Sequence, residues 1–239
     1  MRRLLLIPFC LVACGGDDVV LQPNRDPQGV GECTLEPGED LCARFPDAPP
    51  DARSVLANAS AFAGEARALV RSLENACRDV LTDLRREIPS SGSTPRDRMK
   101  STCDAAIGAL AVMRPRGATA RHEAEACRPA PIPACVLESA RSGWETCDSP
   151  KVIVVLPANG DDARTYVDVV ERRTPPIFAV GKALEHVAVR ASVVSGGMKA
   201  LTELEQKCVS SAVKLVTEAT ADVDACVSTA TSATHALAD

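Results

Sequence analysis

From Val55 onward the apolar residues recur at steps of four and three: Val55, Ala59, Phe62, Ala66, Leu69, Leu73, Ala76 and Val80. Side chains at that spacing fall on one stripe of an α-helix, and a stripe of about three and a half heptads asks for a partner helix along its length. Asp51 stands ahead of the run as an N-cap, and Pro89 with Ser90-Ser91-Gly92-Ser93 ends it. Thr94-Pro95-Arg96-Asp97 then combines a capping hydroxyl, a proline where a helix needs no N–H, and an acid in the first turn. This predicts a second helix over about 95–113 and, with the short connection, an antiparallel hairpin over about 52–113.

A second seam runs Leu184, Val187, Ala191, Val194, Met198, Leu201, Leu204, Cys208, Ala212, Leu215, Ala219, Val223, Cys226, Ala230, Ala233 and Leu237. It predicts one long helix over about 177–236, spanning roughly 90 Å at 1.5 Å per residue. Gly196-Gly197 is its weak point, costing about 1 kcal/mol per glycine in a helix interior, and marks a bend or a close crossing. Between the seams, 114–160 is broken by Pro115, Pro129, Pro131, Pro133, Pro150 and Pro157 and carries Cys127, Cys135 and Cys147. Short helices are expected near 118–127 and 134–146. Val152-Ile153-Val154-Val155-Leu156 is the β-like run, half of a hairpin at most. Asp161-Asp162 open a short helix over 161–173, stopped by Thr174-Pro175-Pro176. The expected fold class is all-α: an elongated, disulfide-braced antiparallel helical bundle or coiled coil over 51–239, with the long C-terminal helix as its spine.

The chain opens with Met1-Arg2-Arg3 and the apolar run Leu4 to Val12, interrupted by Pro8 and too short to span a bilayer. Leu11-Val12-Ala13-Cys14-Gly15 follows and resembles the lipobox of bacterial lipoproteins. The resemblance implies a signal peptide over 1–13, diacylglyceryl transfer to the Cys14 thiol, cleavage before Cys14 and acylation of the new amine. It implies attachment to the cell envelope through covalent lipid, and no other cofactor. The familiar inner-membrane retention signal is an Asp after the lipidated Cys; Gly15 stands here, so the outer membrane is expected. Residues 14–50, rich in Gly, Pro and Asp, read as a flexible tether with a root-mean-square reach of about 35 Å.

Of the eleven cysteines, Cys10 falls in the signal and Cys14 in the anchor, leaving Cys33, Cys42, Cys77, Cys103, Cys127, Cys135, Cys147, Cys208 and Cys226. In an exported chain so many thiols read as disulfides, and an odd number leaves at least one outside an intramolecular bond. Cys33 and Cys42 are close enough for a local bridge. Cys77 and Cys103 fall at similar height across the predicted hairpin and are expected to bond. Cys208 and Cys226 lie about 27 Å apart along a continuous helix and cannot meet each other. Zinc is disfavoured because no C-x-x-C pair occurs.

Loss of Arg2 and Arg3 with the signal moves the formal charge from -5 to -7, which excludes nucleic acid as a partner. Aromatic residues are only 3%, with one Trp and one Tyr, so the core is one of closely packed alanines with little from which to line a ligand pocket. Cys77-Arg78-Asp79-Val80, Cys103-Asp104-Ala105-Ala106, the Cys/Pro-punctuated middle and the final Ala/Val/Ser/Thr-rich helix after Pro175-Pro176 resemble lipoproteins of unassigned function in myxobacteria-like bacteria. That resemblance is one of layout over most of the mature chain and implies no activity.

Catalytic patterns are thin. Ser211-Ala212-Val213-Lys214 matches S-x-x-K but lacks the S-D-N and K-T-G motifs that accompany it, and reads as a solvent-facing pair on a helix. His122-Glu123-Ala124-Glu125 lacks H-E-x-x-H spacing, and Asn159-Gly160-Asp161-Asp162 is a turn with an N-cap more than a calcium loop. His186 reads as a surface residue, and His235 suits the negative end of the helix dipole. The expected function is a lipid-anchored envelope module that is structural or binds another envelope protein, without catalysis. Behind it stand a helical membrane-active or effector-like protein, suggested by the long helices and the 152–156 run, and an enzyme of unrecognised type.

Overall fold

The computed structural model describes residues 35–90, 92–141, 144–157, 163–203 and 206–238. The expected signal peptide, Cys14, Cys33 and most of the expected tether lie outside the described residues, as do Asn159-Gly160-Asp161-Asp162. The chain is mostly helical, at 67% helix, with a few short strands, so the all-α expectation holds only in its coarser form.

In order, the elements are α1 (Leu41–Arg44), α2 (Pro50–Asp83), α3 (Pro95–Met113), β1 (Thr119–His122), β2 (Cys127–Pro129), a 3₁₀ turn (Glu138–Ala140), β3 (Glu145–Cys147) and β4 (Val152–Val155). They continue with α4 (Arg164–Arg173), α5 (Pro175–Phe178), α6 (Val180–Gly197), a 3₁₀ segment (Met198–Glu203) and α7 (Gln206–Ala238).

The seam of α2 is buried as expected except at half-buried Leu69, and burial goes further: Ser54, Val55, Leu56, Ala57, Asn58, Ala59 and Ser60 are all buried, so this stretch is enclosed on every side. Small side chains make that possible. The helix starts one residue before the expected cap: Pro50 occupies the first turn, Pro49 is the N-cap without a side-chain bond, and Asp51 lies inside the helix. It also ends before Pro89. Arg85 enters the left-handed region at φ 53, and the Arg86 N–H donates to the Leu81 carbonyl at 2.8 Å, closing the last turn. α3 spans the range its sequence predicts, with the Thr94 hydroxyl accepting from the Asp97 N–H at 3.1 Å.

Part of the expected tether belongs to the body. Leu35 and Leu41 are buried among Ala52, Leu56, Ala59 and Phe62. The Gly38 N–H donates to the Ser60 carbonyl at 3.0 Å, and a Cβ at Gly64 would come within 3.1 Å of the Gly38 backbone. Two glycines thus let the segment lie flat on α2. Apolar contact outweighs the disorder expected from its Pro and Gly content.

The expected long C-terminal helix is instead a helical hairpin. α6 runs against α2, since Arg190 meets Glu65 while Gly197 meets Val55 seven residues on. After the 3₁₀ segment, α7 returns alongside α2: Cys208, Ala212 and Leu215 share one core cluster with Val55 to Ala66, while Cys226, Ala233 and Leu237 share another with Val70 to Leu81. The physical reason lies at Gly197, where an added Cβ would fall 2.2 Å from Val55 Cγ2. The glycine that weakens the helix permits the close crossing that replaces it.

Among the described residues the expected short α-helices near 118–127 and 134–146 do not form, and the second range holds a 3₁₀ turn over Glu138–Ala140. β1 pairs antiparallel with β4, placing Ala120 opposite Val154, and β2 pairs antiparallel with β3, placing Cys127 opposite Cys147. The 152–156 run is therefore half of a two-stranded ladder, with a partner supplied from 30 residues earlier. α4 is fastened to α2 by charge: Arg173 Nε donates to Asp83 at 2.8 Å and Arg172 Nη2 to the same carboxylate at 3.0 Å, and these bonds, Arg173's first, hold the Asp83 carboxyl below its usual range.

Two substitutions separate these backbone arguments in chemical denaturation. Arg85→Gly relieves the left-handed conformation and should stabilise the protein by about 1 kcal/mol. Gly197→Ala must displace Val55 and should destabilise it by about 1–3 kcal/mol.

Candidate functional site

The densest collection of chemistry lies where the β2–β3 ladder rests on α6. Val187 and Val194 turn one stripe of α6 toward α2, and His186 and Arg190, one helical turn apart, meet the ladder beside it. Arg190 is 1% exposed. Its guanidinium carbon lies 4.0 Å from the centroid of Trp144, and Nη2 donates to Glu65 Oε1 at 2.6 Å. A guanidinium suits this position because its flat face stacks on the indole while its edge donates to the carboxylate. Burial pushes the Glu65 carboxyl above its usual range against the pull of Arg190, and burial also draws Arg190 down.

One residue beyond Trp144, Glu145 Oε2 lies 3.3 Å from His186 Nε2. The His186 side chain is 12% exposed, so it is not the surface residue its sequence context suggests. Two residues further, Cys147 is bonded to Cys127 directly across the ladder. Cys127 Sγ, Cys147 Sγ and a Glu145 oxygen lie within 4.8 Å of one another. Glu125, Lys182 and Glu185 border this cluster: Lys182 is held above its usual range by its bond to Glu185 and, more weakly, by Glu145 and Glu125.

The other sequence candidates are dispersed. Cys77 and Cys103 form the expected buried bond between α2 and α3. Cys42 bonds Cys135, across 93 residues, so the expected Cys33–Cys42 bridge is not made. The reason is the docking of α1 on α2, which carries Cys42 to the segment before the 3₁₀ turn. Cys208 is disulfide-bonded, and Cys226 is a buried free thiol, pushed up to about 12 by burial and the nearby Asp222. Ser211 is not solvent-facing: its hydroxyl accepts the Leu35 N–H at 3.0 Å, whereas Lys214 is 77% exposed beside Glu218. No nucleophile–base pair results there. The exposed His122 lies with its ring centroid 5.2 Å from that of Phe178, and His235 is in the last turn of α7.

Sequence reasoning missed Glu65, Trp144, Glu145 and Arg190. The available signals were the single tryptophan and an arginine three residues after Val187 on the seam side of its helix. Among the described residues no helix is long and apolar enough to cross a membrane. Comparisons with family models, curated proteins and solved structures find no match.

Removing the half-buried carboxylate deprives the buried Arg190 of a charged hydrogen bond. Glu65→Leu should therefore cost about 1.5–3 kcal/mol in urea denaturation, while Glu65→Leu/Arg190→Met should recover part of that loss.

Proposed function

We propose that this protein is a lipid-anchored component of a bacterial cell envelope, whose helical body acts as a spacer or docking module for another envelope protein and has no catalytic role. Leu11-Val12-Ala13-Cys14, after a basic start and a short apolar run, carries this reading. A diacylglyceryl group with a further acyl chain supplies two or three buried chains, and each methylene contributes about 0.8 kcal/mol, so no protein helix has to cross the bilayer. The bonds Cys42–Cys135, Cys77–Cys103 and Cys127–Cys147 suit an oxidising compartment.

In this reading the tether is confined to residues between Cys14 and the segment packed on α2, and the spacer is built on α2, a 34-residue helix about 50 Å long. An extended antiparallel body and placement at the outer membrane, following from Gly15, complete the proposal. Glu65, Asp83, Arg172, Arg173 and Arg190 tie one element of the body to another, which suits a rigid interaction module.

Incorporation of a labelled fatty acid tests the anchor. The protein should be labelled and sediment with membranes, and Cys14→Ser should lose both properties while keeping its far-ultraviolet circular dichroism. Labelling that persists in Cys14→Ser would exclude this anchor. In-cell cross-linking from α2 and α7 should yield one specific protein adduct at native abundance; none would remove the docking role.

A further inference from the structure

Strand geometry arranges a set of ligands on one face of the β2–β3 ladder. Residues two apart on a strand share a face, so Glu145 and Cys147 point the same way. Cys127 stands directly opposite Cys147 in the register and joins that face. From α6, His186 Nε2 reaches to 3.3 Å of the Glu145 carboxylate, and Nε2 itself is buried without a hydrogen bond. Two sulfurs and a carboxylate oxygen thus converge on the ladder, and the imidazole of α6 stands beside them against the far side of the Glu145 carboxylate. Among the described residues this is the place where three such ligand atoms lie within 4.8 Å of one another. The surrounding Glu125 and Glu185 add negative charge, offset by Lys182.

We propose that Cys127–Cys147 is the closed, oxidised form of a redox-gated site for a zinc-class divalent cation, with Cys127 Sγ, Cys147 Sγ, a Glu145 oxygen and His186 Nε2 as its ligands. A dithiol opens the site: its two sulfurs become a disulfide, the Cys127–Cys147 bond breaks, and two electrons and two protons pass to the cysteines. The cation then binds as both thiols lose those protons, giving two thiolates, one carboxylate and one neutral imidazole. That donor set and number match tetrahedral zinc, and thiolate together with imidazole disfavours magnesium and calcium.

Exposure selects this bond over Cys77–Cys103 and Cys42–Cys135. Cys127 is exposed on a strand with no buried residue, whereas Cys77 and Cys103 are both 0% exposed and Cys42 and Cys135 pack against the Ala57, Val136 and Ala140 cluster. Accessible disulfides are the readily exchanged ones. Glu145 and His186 have an alternative use, as an ion pair that fastens the ladder to α6. That use requires no cation, so metal binding distinguishes the two.

The test uses the purified full-length protein, reduced in steps without oxygen by a trialkylphosphine that is removed before metal is added. Peptide mapping should find Cys127 and Cys147 as the first pair reduced; another pair opening first would overturn the gating. Cobalt(II) should then give a thiolate charge-transfer band that the oxidised protein lacks, and zinc should abolish the band and protect Cys127 and Cys147 from alkylation. Glu145→Ala and His186→Ala should each weaken cobalt binding about tenfold or more. Binding that survives in Cys127→Ser/Cys147→Ser, or is unchanged in both single variants, would overturn the site. The alkylation readout on the unsubstituted protein decides the matter even if a variant does not fold: equal labelling with and without zinc rejects the proposal.

Discussion

Close packing around α2 is the constraint on which the rest of the structure depends. With aromatic residues at 3%, the chain cannot build its interior from a few large side chains. It brings helices together over alanine, serine and valine, so the core comes from many short-range contacts made at small separation. The fully enclosed stretch over 54–60 needs neighbours on every side, and the rest of the helix needs them along its apolar stripe. The segment before it, α3, α4, α6 and α7 all touch it, and a tether or a single C-terminal spine would leave apolar faces of α2 in water.

The same requirement explains where charge sits. With α6 drawn against α2, the ladder covers a further stripe of α6 at His186 and Arg190, and Arg190 bridges the three elements by stacking on Trp144 and donating to Glu65. Burying that guanidinium carries a desolvation cost which apolar residues would avoid, and its directional bonds fix how ladder and helix meet. The ladder's register places Glu145 beside the Cys127–Cys147 pair, and that docking brings His186 to Glu145. The proposed metal chemistry is thus a consequence of how the ladder is held, and a shift of β3 by one residue would turn Glu145 and Cys147 to the opposite face.

Local signals were the legible ones. Thr94-Pro95-Arg96-Asp97 specifies the start of α3 through groups within four residues of each other, and the α2 seam and Cys77–Cys103 follow from helical period and a short connection. Decisions made at long range were not legible. Cys42 bonds across 93 residues because α1 docks on α2, and β1 finds β4 beyond an intervening ladder. The C-terminal seam has continuous helical period through Gly196-Gly197, yet the chain reverses beyond Gly197, where α6 has reached Val55 near the start of α2 and the rest of the seam is buried by turning back along it. His186 and Arg190 belong to the same class, since a helical position alone does not reveal that a strand from 40 residues earlier will cover it.

Disulfide mapping on the unreduced protein tests this architecture most directly, because each bond reports a separate docking event. Proteolysis under conditions that prevent exchange should yield linked peptides for Cys42–Cys135, Cys77–Cys103 and Cys127–Cys147, with Cys226 alkylated as a thiol only after denaturation. A linked Cys33–Cys42 peptide in place of Cys42–Cys135 would contradict the packing of α1 and the preceding segment on α2, and with it the enclosed helix at the centre of the fold.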